Sequence, residues 1–138
     1  MGYWAGCRRN PACIAICLAR SRLTGWKSKT ASPILPWVQL FHAGAYSHPM
    51  FVDGQQPIAP SAVYSRYSQT TPREMTVEDI HQVQEAFGRA AKRAKAAGFD
   101  GIEILASAGY LISQFLSPRT NQRTDAYGGN FENRVRFP

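Results

Sequence analysis

The order of apolar patterns along this chain predicts an α/β fold built on a parallel sheet. Three observations carry that reading. A short aromatic and β-branched run, "WVQLFHAG", begins at Trp37; a long amphipathic helical pattern begins near Thr76; and a second apolar run, "FDGIEILASAGYL", follows directly on the glycine that closes the helix. Strand, helix and strand in that order is the alternation of a parallel sheet, and a right-handed crossover sets the two strands side by side with the helix on one face.

Residues 1–35 come first and show no strand or helix pattern that continues into the rest. The stretch "TASPILP" closes them with two prolines, which disfavour a continuing helix. They are read as a separate, poorly ordered basic segment, and residues 36–138 as the folded unit. "RRNPACIAICLAR" has the charged start and short apolar run of a secretory signal, and its acid-poor, Arg- and Ser-containing surroundings also suit an organellar transit peptide; both patterns are partial. The apolar run falls far short of the ~20 residues that span a bilayer, so no membrane partner is expected. The cytoplasm is the expected compartment, with the transit segment as the alternative.

The strand at Trp37 ends in glycine and carries Gln39 within its apolar run. Read from the residues alone, that amide is a satisfied core group or a ligand-facing one at a strand end, the former being the commoner case. Residues 45–75, rich in Pro, Gly, Ser and Tyr, read as a long loop, and loops of this length are functional or disordered. Thr76 and Asp79 in "TVED" form a capping-box-like helix start. Ile80, Val83, Phe87, Ala90, Ala94 and Ala97 then recur at helical spacing as one apolar face. Glu85 and Arg89 make an i,i+4 pair, and Gly98 stands where a helix C-terminus takes glycine. In the second run, Ile102, Ile104 and Leu105 mark a strand. "RTNQRTDAYGGNFENRVRFP" follows as a polar loop leading into the start of another helix.

Composition narrows the function. A length of 138 residues with 44% hydrophobic content fits one modest soluble domain. The net charge of +7 is uneven: no Asp or Glu precedes Asp53, whereas Arg8, Arg9, Arg20, Arg22, Lys27 and Lys29 all do. These basic residues are not interleaved with aromatics in any reading module, and charge alone carries no sequence specificity, so nucleic acid is not an expected partner. Cys7, Cys13 and Cys17 are odd in number, lack paired C-x2-C loops and have no nearby histidine, so they read as unligated thiols and no metal site is expected.

"VQLFHAG", "AAGFDGIEI", "GYLISQFLSPRTNQRTDAYGG" and "ENRVRF", in this order, resemble the third and fourth strand regions of the Old Yellow Enzyme family of NADH:flavin oxidoreductases. "PIAPSAV" and "RTNQRTD" bring the chain nearest to the 2,4-dienoyl-CoA reductase and 2-enoate reductase branch. The resemblance covers residues 37–138 and implies part of a (β/α)8 TIM barrel, a fold that usually takes ~250 residues, so the chain is expected to be incomplete as an isolated barrel. It further implies FMN as cofactor, NAD(P)H as reductant and an activated alkene, such as an enoate or enoyl thioester, as the small-molecule substrate.

On the same resemblance, Tyr110 matches the tyrosine that donates a proton to the α-carbon. The alternative from the residues alone is a tyrosine packed at a strand end with its hydroxyl satisfied. Gln39 matches the glutamine that hydrogen-bonds the flavin pyrimidine ring, a task suited to an amide that offers donor and acceptor together. Arg119 either meets an anionic substrate or fastens its own loop. The pattern departs from the family at three places. Leu105 and Ala108 stand where many members carry a hydrogen-bonding pair, and Ala45 stands where "HAGR" has arginine. The alternative function is a catalytically inactive barrel fragment or interaction module.

Overall fold

The computed structural model describes residues 15–19, 37–52 and 54–138. Its centre is the expected strand–helix–strand unit. β2 (Trp37–Phe41) and β5 (Gly101–Ile104) pair in parallel, with Trp37 opposite Gly101, Val38 opposite Ile102 and Gln39 opposite Glu103. α1 (Val77–Ala96) connects them and packs on one face of the pair, where Val38 and Leu40 meet Ala90 and Ala94 in a buried cluster flanked by Phe87, Phe99 and Ile102. Side chains alternate along a strand, so Trp37, Gln39 and Phe41 fall on the opposite face.

The start of α1 is built as its sequence suggests. The Thr76 hydroxyl accepts from the Asp79 backbone N–H at 3.1 Å while the Asp79 carboxylate accepts from the Thr76 N–H at 2.7 Å, satisfying donors that a helix start leaves open. Arg73 adds a two-pronged ion pair to Asp79, at 2.7 and 3.0 Å. These hydrogen bonds, the Arg73 guanidinium first among them, hold the Asp79 carboxyl down at about 2. At the other end Gly98 takes a φ of 82° just beyond the C-cap Ala97. Ala97 itself is exposed rather than part of the apolar face.

Three parts of the chain differ from expectation. The connection described over residues 44–52 and 54–75 carries 3-10 turns at Gly44–Tyr46 and Pro49–Phe51 and a short parallel pair of β3 (Ile58–Ala59) and β4 (Arg73–Glu74). Its apolar members supply core: Ile58 and Met75 join Ile80 and Val83 of α1 with Leu111, Ile112, Phe115 and Phe137 in a second buried cluster. The segment after Tyr110 forms α2 (Leu111–Leu116), too short to display a helical repeat in sequence. Finally, β1 (Ala15–Ala19), within the stretch that gave no strand pattern, pairs antiparallel with β2. Cys7, Cys13 and most of the leader-like stretch lie outside the described residues.

α3 (Phe131–Arg134) is the helix start expected at the end of the chain, capped by the Asn130 side chain. Among the described residues no helix is long and apolar enough to cross a membrane.

Candidate functional site

The sheet face away from α1 carries the candidate groups. Gln39 is half-buried there beside Glu103, and its carboxamide makes no hydrogen bond among the described residues. An amide offers donor and acceptor together, which fits the alternating N–H and C=O edge of a flavin pyrimidine ring. Trp37 covers the start of β5 so closely that a β-carbon on Gly101 would stand 2.7 Å from its ring.

At the end of β2, Phe41 stacks on Tyr110 with ring centroids 4.9 Å apart and planes 29° from parallel; Tyr46 meets the same ring edge-on at 6.2 Å. Tyr110 is thus held by aromatic contact on two sides, while its hydroxyl has no hydrogen-bond partner among the described residues. The backbone before it is a tight turn in which Ala108 (φ 60°) and Gly109 (φ 77°) are both left-handed. Only glycine adopts that conformation without penalty, so the turn is a built feature rather than slack in the chain. Ala108 therefore serves the backbone, and neither it nor Leu105 offers a side-chain donor.

Gln114, which the sequence reading passed over, ties this turn to the one after β2. Its buried Oε1 accepts from the Ala45 N–H at 3.0 Å, and its Nε2 donates to the carbonyls of Ala43 (3.2 Å) and Gly109 (2.7 Å). One amide thus fixes the loop that follows Phe41 to the loop that presents Tyr110. The Leu111 N–H also donates to the His42 carbonyl, at 2.9 Å. A polar residue at an apolar helix position was the only sequence signal for this role.

The long motif after Tyr110 is spent on architecture. Arg123, buried to 8% exposure, donates to the Pro60 and Met75 carbonyls and pairs with Asp125, binding this loop to "PIAPSAV". The Arg123 guanidinium holds the Asp125 carboxyl below its usual range. Asn121 donates to the Phe115 and Tyr127 carbonyls, each at 2.8 Å, and Arg134 donates to those of Leu116 and Gly129.

Arg119 stands apart from these contacts. It is exposed, its side chain has no partner among the described residues, and it lines a cleft of about 560 Å³ whose wall includes Gly109 and Tyr46. Tyr110 and Gln39 are not part of that wall. The structure therefore brings Tyr110 and Gln39 to one face of the sheet and places Arg119 in the neighbouring cleft.

Comparison with known proteins identifies the family of the chain. Residues 31–138 match the model of the NADH:flavin oxidoreductase / NADH oxidase family. A metal reductase of Desulforamulus reducens is 56% identical over 99 residues, 72% of this chain and 15% of that protein. An NADH:acrylate oxidoreductase of Vibrio harveyi is 48% identical over 113 residues, 81% of this chain and 11% of that protein. Among solved structures, morphinone reductase in complex with tetrahydroNAD superposes with a TM-score of 0.70 at 42% identity, over 72% of this chain and 32% of that one. The chain thus spans a minor part of each relative, and its strand–helix–strand unit is a fragment of their (β/α)8 barrel.

Proposed function

Because the chain belongs to the NADH:flavin oxidoreductase / NADH oxidase family, we propose that it serves the FMN-dependent reduction of an activated alkene by NAD(P)H. The observation that carries this reading is the state of Tyr110: its ring is fixed by Phe41 and Tyr46 while its hydroxyl makes no hydrogen bond among the described residues. A phenol with its ring fixed in that way is suited to act as a general acid toward a bound substrate.

FMN, when bound, supplies the two-electron chemistry that links NAD(P)H to the β-carbon of the alkene. The residues of this chain do the rest of what is proposed. Gln39 binds the flavin edge through its carboxamide. Tyr110 gives its hydroxyl proton to the α-carbon as that carbon takes up the electron pair of the double bond, and the phenolate regains a proton from solvent. Arg119 meets the carboxylate of a substrate such as an enoate. Residues 36–138 form the oxidoreductase unit in this proposal, with β1 of the preceding segment paired to its edge, and the cytoplasm is its compartment.

A second reading, an inactive barrel fragment or interaction module, is favoured by the exposure of Trp37 (51%) and Ile104 (49%) on the two paired strands. One experiment decides between them. The chain is mixed with FMN, freed of excess by gel filtration and read at the flavin absorbance band. Retained flavin, with alkene reduction that Tyr110→Phe lowers by ~10²–10⁴-fold, supports the enzyme. A colourless chain leaves family membership intact and removes the catalytic reading.

A further inference from the structure

We propose that the outer edge of β2 is an acceptor site for an extended peptide strand, and that β1 is its built-in occupant, seated so that a barrel strand is kept out. Ala15–Ala19 lies antiparallel to Trp37–Phe41, with Cys17 opposite Gln39. The direction of that pairing carries the inference.

A (β/α)8 barrel is parallel throughout, so each strand has a parallel neighbour on both edges. β2 has one such neighbour, β5, and its other edge holds a strand that runs the opposite way. The Leu105 N–H donates to the Leu40 carbonyl at 3.0 Å, so the backbone groups of Leu40 are turned to β5. Alternation along the strand turns those of Trp37, Gln39 and Phe41 to the edge where β1 lies. A parallel strand would need the same N–H and C=O groups. The two occupants are mutually exclusive.

The chemistry of the edge says what it accepts. "WVQLF" has no charge and no proline, and so lacks the devices that blunt a strand edge against pairing. "AICLA" is likewise uncharged and free of proline, so each of its residues keeps the N–H that a ladder uses. Main-chain hydrogen bonds give such an edge affinity for an extended segment. Residues 20–36 separate the two strands, far more than a tight hairpin turn takes, so the pairing is not dictated by a turn. Covalent attachment nevertheless favours β1 over a free competitor.

Hydrogen exchange of the full chain tests this without flavin. In the parent, the Gln39 and Phe41 amides should exchange slowly. Cys17→Pro removes the donor opposite Gln39 and should speed both by about tenfold or more, whereas Leu18→Pro, at a position whose N–H points away from β2, should not. The Leu40 amide, turned to β5, should stay slow in all three chains and so reports an intact fold. An excess of a peptide of residues 11–20, with serine for cysteine, should restore slow exchange of Gln39 in Cys17→Pro and should not bind the parent. As an independent measure, Gln39→Cys with Cys7→Ser and Cys13→Ser should form a disulfide to Cys17 on mild oxidation, since the α-carbons of a hydrogen-bonded antiparallel pair lie ~5.5 Å apart, within disulfide reach. Fast exchange of Gln39 in the parent, peptide binding by the parent, no rescue of a proline variant whose Leu40 amide is slow, or absence of the disulfide overturns the proposal. If Cys17→Pro also frees the Leu40 amide, the disulfide decides. A chain that meets these expectations and retains no FMN keeps the acceptor edge and discards the alkene reaction.

Discussion

The side-chain amide of Gln114 occupies the space that a β-carbon on Gly44 would need: such a carbon would stand 2.2 Å from its Oε1. The φ of Gly44, 59°, is also left-handed, so glycine is demanded there both by conformation and by its neighbour.

Gly44→Ala should therefore destabilise the chain by ~2–4 kcal/mol, combining backbone strain with displacement of a buried hydrogen-bonded amide. Gln114→Met, similar in length but without donor or acceptor, should cost a comparable amount. Because both changes break one arrangement, the double variant should lose less than the sum. Urea unfolding of the three variants measures this.

Arg123→Met should cost about 3–5 kcal/mol, since it strips a partly buried carboxylate of its cation and leaves the Pro60 and Met75 carbonyls without their donor. Arg123→Lys should recover only part of the loss, because an ammonium cannot reach both carbonyls and the carboxylate in one plane. Equal stability of the lysine variant and the parent would contradict this account.

Asp79 sets an acid limb. Its carboxyl is lowered from 3.8 to about 2 in the folded chain, so its stabilising effect is full above the unfolded value and disappears as pH falls through the folded one. Arg73 is partly exposed, which limits the ion pair, so roughly 1 kcal/mol is at stake in addition to the cap. Asp79→Asn should be less stable than the parent at neutral pH, and the difference should shrink between pH 4 and 2. A constant difference across that range would rule the linkage out.

Tyr110→Phe should leave the unfolding midpoint nearly unchanged, within ~0.5 kcal/mol, because the hydroxyl contributes no hydrogen bond among the described residues and the ring contacts persist. A loss of 1 kcal/mol or more would show that the hydroxyl is engaged structurally.

Sequence patterns revealed what repeats with a period. The strand at Trp37, the capping box at Thr76, the apolar face of α1 and the glycine at 98 all follow from local rules and all recur in the structure. What stayed hidden depends on partners distant in sequence. Gln114 meets Ala45 across a separation of 69 residues, and Arg123 meets Pro60 across 63. Their roles could not be read from their neighbours. α2 was missed because six residues barely exceed one and a half helical turns. Tyr110 and Gln39 entered through family resemblance alone, since one tyrosine and one glutamine carry no periodic signal.

The recognisable part of this chain and the part proposed to react are different sets of atoms. Arg123, Asn121, Gln114 and Arg134 direct their polar groups to the backbone of neighbouring segments, while the Tyr110 hydroxyl and the Gln39 amide make no hydrogen bond among the described residues. Selection for folding would preserve the first set whether or not the second still had work. A lineage could retire the chemistry by changing one or two outward-facing positions and keep a signature that any comparison would recognise. Inheritance of the long motif after Tyr110 certifies the mould, and the roles proposed for Gln39 and Tyr110 are a separate matter from it.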